Sequence, residues 1–223
     1  MDLFDIIIKI SDISIRVLAG MKNTLFIFFT TIILSLPFGL VILFFRMSKI
    51  KIVSFITRTI ISILRGTPLM LQLIVWFYMP YYVFKIKLTP NWRVIAIVIG
   101  FSINYAAYFA EIYRAGITNI PIGQTEAAIV LGYNKIQTFF KIILPQMIKR
   151  VIPPVTNEII TLIKDTSLAF VLTYTEVFTL AKQIAASKTT IVPLFVAGLF
   201  YYIFNAIVAF TMENLEKKFN YFD

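Results

Sequence analysis

The sequence has no cysteine and no histidine. The first absence excludes disulfides and thiolate metal sites. The second removes the commonest metal ligand, any Ser-His-Asp arrangement and the easiest proton relay. Charge is also scarce, at 14% of the chain. No glycine is followed by lysine, so no Gly-x-x-x-x-Gly-Lys-Ser/Thr phosphate loop can be drawn and ATP has no usual cradle here. No cleavable signal peptide is read, because Asp2, Asp5, Lys9, Asp12 and Arg16 interrupt the first apolar run. No tandem repeat is visible.

What remains is apolar. Hydrophobic residues make up 59% of the 223 positions, and the mean hydropathy is +0.86. A soluble domain has about 45–50% apolar residues. The chain reads as an all-α polytopic membrane protein, a single domain over 1–223. Its length suits five or six spans of about 20 residues. The net charge is +10. Lys and Arg gather at span ends, where they face lipid headgroups and set orientation, so nucleic acid is not an expected partner.

Residues 1–20 place charges among Ile and Leu at helical spacing and read as a helix in the membrane interface. A first span runs from about Thr24 to Phe45, interrupted by Pro37 and Gly39. Arg46, Lys49, Lys51 and Arg58 follow without an acid and mark a cytoplasmic loop. The second span is read as continuous from about Phe55 to Tyr82, with Arg65-Gly66-Thr67-Pro68 inside it. An Arg at membrane depth costs about 2.5–3.5 kcal/mol and needs a partner, water or a route to the interface. Pro68 frees a backbone carbonyl one turn earlier. The third span, about Trp92 to Gly116, carries Asn104, and Glu111 and Arg114 near its end are spaced to pair. The fourth, Val155 to Leu172, is short, preceded by Pro145, Pro153 and Pro154, and holds Glu158, Lys164 and Asp165. Glu176 to Thr190 reads as a polar outer linker, and the fifth span as about Ile191 to Met212. Five spans, counted from the basic loop, put the N-terminus outside and the C-terminus in the cytoplasm.

Between the third and fourth spans lies a stretch unlike its surroundings. Gln124 to Leu131 reads as a short helix, with Pro121 near its start and Gly132 just past its end. Flanked by spans, it has to lie outside the hydrocarbon. Glu126-Ala127-Ala128, three residues, Gly132, nine residues, Ile142, one residue and Leu144-Pro145 resemble the EAA loop of ABC-importer membrane subunits. Arg65 to Pro68 and Tyr108 to Gly116 resemble the polar amino-acid branch of that family, the histidine, arginine and glutamine type of permease. The resemblance runs from about Gly20 to the last span and implies a type I (MetI-like) fold with core spans over about 20–217. It makes 121–145 the coupling loop, with Glu126, Ala127, Ala128, Gly132, Leu144 and Pro145 meeting the ATPase. It implies ABC ATPase subunits that carry ATP and Mg, a second permease copy or sister permease, and an extracytoplasmic substrate-binding protein. No cofactor, metal or catalytic residue is expected on this chain. The location implied is the bacterial cytoplasmic (inner) membrane.

Glu158 and Asp165 are seven residues apart. On a helix this is about 700° of rotation, so they share a face about 10 Å apart along the axis. Thr161 lies between them near that face. Two acids at membrane depth need water, a cation or a proton, and a cationic amino-acid substrate would supply the partner. Its carboxylate would need a donor such as Lys164 or a free backbone N–H. Asp165 also suits a purely structural pairing with Lys164 or Arg65. The segment Asn157 to Leu168 resembles the matching part of polar amino-acid permeases, which implies that Glu158 and Asp165 line the substrate pocket. Asn104, Lys164, Arg65 and Thr67 complete the candidate substrate residues. Glutamine, glutamate or cystine remain alternative cargoes, and an ATP-independent secondary carrier is an alternative of another class.

Overall fold

Proline and glycine set most of the breaks between helices in the computed structural model, which describes residues 3–219. Helix α1 (Leu3–Leu18) meets α2 (Met21–Arg46) at Ala19–Gly20. α3 (Lys51–Gly66) and α4 (Leu69–Phe84) follow, then α5 (Trp92–Thr118). Short helices α6 (Ile122–Val130) and α7 (Lys135–Thr138) lead through a π turn at Phe139–Ile143 into α8 (Leu144–Asp165). A 3-10 segment, Thr166–Leu172, precedes α9 (Val177–Lys188) and α10 (Val192–Phe219). Asp2 and both chain ends, to which the orientation was assigned, lie outside the described residues, as does the Asp5 side chain.

Among the described residues, three helical stretches are long and apolar enough to cross a membrane: Ile8–Arg46, Trp92–Thr118 and Val192–Lys218. A fourth is obtained if α3 and α4 count as one span bent by 111°. The second span is therefore not continuous. Thr67 is extended at φ −115° and ψ 147°, as a residue before proline prefers, and Pro68 offers no N–H to continue the ladder. The expected fourth span falls on α8 and the 3-10 segment, and the prolines and charges of α8 keep it below that threshold, whereas the expected fifth is α10. α8 nevertheless packs against both α5 and α10. The expected N-terminal helix is Leu3–Leu18, and from Ile8 it forms one apolar stretch with α2.

α5 is the central post. Phe101, Tyr105 and Phe109 on it are almost completely buried and pack with Leu73 of α4 and Leu162 and Ile163 of α8. Its other side lies along α2. A Cβ at Gly39 would come within 2.9 Å of Phe109 Cβ and 3.2 Å of the Ala106 carbonyl oxygen. The two helices touch because that side chain is missing, the way helices associate in lipid.

The segment from Glu176, expected to be a polar linker, proves to be folded. Glu176 has no exposed surface. It caps α9 by accepting from the backbone N–H groups of Phe178 (2.7 Å) and Thr179 (2.6 Å), and it also accepts from the hydroxyls of Thr179 (2.7 Å) and Tyr201 (2.7 Å). α9 is thereby tied to α10.

Candidate functional site

The break between α3 and α4 creates a polar wall. Pro68 leaves the Leu64 carbonyl without its helical donor. Two side-chain amides replace it: Gln72 Nε2 at 2.7 Å and Asn104 Nδ2 at 3.0 Å. Asn104 Nδ2 also donates to Gln72 Oε1 at 3.0 Å, so the buried amide joins α5 to both halves of the bent pair. Thr67 is held in turn, its hydroxyl donating to the Ile63 carbonyl at 2.9 Å and accepting from Gln72 Nε2 at 2.8 Å.

Against this wall lies a cavity of about 380 Å³ lined by Thr67, Pro68, Leu69, Asn104, Tyr105, Tyr108, Glu158, Thr161, Asp165 and Leu168. α8 runs unbroken to Asp165 before tightening into the 3-10 segment, so Glu158, Thr161 and Asp165 present one face to the cavity as their spacing predicts. Asp165 pairs with neither Lys164 nor Arg65. It accepts the hydroxyl proton of Tyr105 at 2.7 Å. No lysine or arginine is among the lining residues. Two carboxyl groups in a cavity of this size, with two tyrosines and neutral polar side chains around them, favour a cationic group.

Of the six candidate substrate residues, four line this cavity: Glu158, Asp165, Asn104 and Thr67. Lys164 is exposed and outside the lining. Arg65 lines a neighbouring cavity and lays its guanidinium carbon 5.0 Å from the Tyr108 ring centroid. Tyr105 and Tyr108 were not singled out from sequence. Their spacing from Asn104 on one helix was the available signal, but an aromatic on a span is more often core, and Tyr105 is both.

The second site is α6 and its loop. Gly132 adopts φ +78°, the left-handed conformation that ends a helix and that glycine enters freely. Asn134 then caps α7, accepting from Gln137 N at 2.9 Å, while Gln137 Oε1 accepts from Asn134 N at 3.0 Å. Ala128 is buried at the base of α6, but Glu126 and Ala127 are exposed. So are Ile122, Ile129, Val130 and Leu131, with Val130 87% exposed. Leu144 and Pro145 open α8. Within the chain α6 packs on α7 and the π turn, leaving an apolar, weakly charged face uncovered.

Residues 35–221 match the family of the binding-protein-dependent transport system inner membrane component. The chain belongs to this family. It is a multi-pass membrane permease of the ABC-importer class. Its relatives place it in the amino-acid branch. The arginine transport system permease protein ArtQ of Bacillus subtilis (strain 168) is 36% identical over 204 residues, 91% of each chain. The L-cystine transport system permease protein TcyB of the same organism is 36% identical over 192 residues, 83% of this chain and 80% of the relative. A putative glutamine transport system permease protein of Rickettsia felis is 30% identical over 218 residues, 97% and 98% of the two chains. Among solved structures, an amino acid ABC transporter crystallised with histidines superposes with a TM-score of 0.84 at 27% identity, over 98% of the permease and 99% of that chain. The MetNI methionine ABC transporter, at 16% identity and a TM-score of 0.65, shares the fold.

Proposed function

We propose that this permease imports polar, basic L-amino acids, driven by ATP hydrolysis on partner subunits. One observation carries the choice of cargo: Glu158 and Asp165 share a cavity with no cationic side chain in its lining. A guanidinium, ammonium or imidazolium side chain together with the ligand's α-amino group would neutralise that pair. Tyr105 holds Asp165 in place by its 2.7 Å bond, and Asn104 and Thr67 offer neutral polar contacts.

In this reading, ABC ATPases carry ATP and Mg and receive α6 in a groove. The exposed Ile129, Val130 and Leu131 fit that role, since such a face is otherwise unsatisfied in water. Glu126, Ala127, Ala128 and Gly132 form the docking element. Leu144 and Pro145 transmit its movement into α8, the helix that also carries Glu158 and Asp165. A second permease, identical or sister, completes the pathway, and an external binding protein delivers cargo. α6 faces the cytoplasm, with the N-terminus outside and the C-terminus inside.

The relatives include permeases for cystine and glutamine as well as arginine, which favours as second reading the same machine with neutral cargo. Uptake of labelled arginine into ATP-loaded proteoliposomes, with the ATPase and binding protein present, separates the two. Competition by lysine and histidine alone supports the basic reading. Competition by glutamine, glutamate or cystine overturns it. Uptake without ATP or partner ATPase would mean a secondary carrier.

A further inference from the structure

A second cavity, also of about 380 Å³, lies at the end of the bundle that carries α6. It is lined by Arg65 at the end of α3, by Glu111, Ile112, Arg114, Ala115, Gly116 and Asn119 along the last turns of α5, and by Arg150 and Pro154 of α8. Three arginines and one carboxylate face one space. That carboxylate is already engaged on both oxygens, Oε1 by Arg46 Nε at 3.0 Å and Oε2 by Arg114 Nε at 2.8 Å.

Among the described residues, neither Arg65 nor Arg150 forms an ion pair with an acid. Arg150 is anchored by one neutral contact, and Arg65 by a ring contact and the longer-range attraction of Glu158. Arg150 Nη1 donates to the Asn119 carbonyl at 2.6 Å, and Arg65 stacks on Tyr108. Each guanidinium carries five N–H donors in a planar fork. Arg114 spends its Nε on Glu111 and Arg150 spends one Nη, so most of the forks remain open to the cavity. Like charges lining one cavity repel, and an anion among them would relieve that repulsion; arginine forks match phosphate oxygens in pairs.

We propose that this cavity binds a small oxyanion, a phosphate group, which bridges α3, α5 and α8. The site is separate from the cargo cavity and does not depend on which amino acid is carried. Arg65 stands between the two: it lines this cavity, while its stacking partner Tyr108 lines the other. An anion drawn onto Arg65 therefore holds one wall of the cargo cavity in place. Inorganic phosphate and the phosphate of an anionic lipid headgroup share the required chemistry.

The test uses the full-length chain in dodecyl maltoside micelles, which contain no phosphate. Inorganic phosphate is titrated at constant ionic strength against chloride, reading its 31P line width and the unfolding temperature of the protein. A second arm adds phosphatidylglycerol instead. Saturable broadening with a rise in Tm in the first arm assigns the site to free phosphate. A rise in Tm with phosphatidylglycerol alone assigns it to a headgroup. In either case R65Q and R150Q should each weaken the response at least tenfold, and R150K, which keeps the charge but loses the fork, should fall between. No saturable response of the wild-type chain in either arm overturns the proposal. So does an undiminished response of the folded R65Q/R150Q double variant.

Discussion

The Tyr105 hydroxyl and the Asp165 carboxylate meet at 2.7 Å, sixty positions apart in sequence. The bond joins the central post α5 to the last turn of α8 and fixes which way the acid faces. Tyr105→Phe removes the donor and keeps the ring that packs in the core. A hydrogen bond to a charged group contributes about 1.5–3 kcal/mol, so apparent affinity for cargo should fall about tenfold or more. Membrane insertion should be unchanged. Uptake kinetics at varied cargo concentration check it, and an unaltered KM would reduce the bond to packing.

Glu158→Gln keeps the shape of the cavity and removes one of its two charges. Cationic cargo should lose about tenfold in affinity, about 1.4 kcal/mol, while neutral cargo should lose little. Competition assays with arginine and glutamine on the same preparation compare the two. Equal losses would take Glu158 out of charge recognition.

Gly132→Val forces a β-branched residue into φ +78°. The left-handed conformation costs an L-residue about 1–2 kcal/mol, and nothing lies within 4 Å of the new Cβ to add a clash. The damage should stay in the α6–α7 turn. The variant should insert normally, and uptake should fall well below ATP hydrolysis when both are measured in reconstituted complexes. Preserved coupling would separate α6 from the ATPase.

Glu176→Ala strips the acceptor from four donors buried between α9 and α10. Each unpaired buried group costs about 1–3 kcal/mol, so the unfolding temperature in detergent should drop steeply. Glu176→Gln keeps an acceptor oxygen for Thr179 and should be milder. Equal Tm values for the two would mean that the hydrogen bonds are not what holds α9.

Sequence made the short helix α6 and the turn after it legible, because local chemistry dictates them. Pro121 and Gly132 bracket α6 as starts and stops do anywhere. The shared face of Glu158 and Asp165 followed from helical rotation alone. The missed features depend on contacts between distant segments. Tyr105 shows its role only once α8 lies beside α5. Glu176 sits in a segment that reads as polar linker, and only folding brings Tyr201 and Thr179 around it. The second span read as continuous because Phe55 to Leu64 and Leu69 to Phe84 are both mostly apolar and only four residues separate them. Pro68 announced a freed carbonyl but not a turn of 111°.

That turn is clasped from outside its own backbone. The Leu64 carbonyl is held by amides from α4 and α5, which are side chains free to let go. Its angle is thus a tertiary property, with the stiffness of a latch and not of a rod. Any sliding of α5 against α4 would work this joint directly, and Thr67 and Pro68, which sit on it, would carry the motion to whatever occupies the cavity beside them.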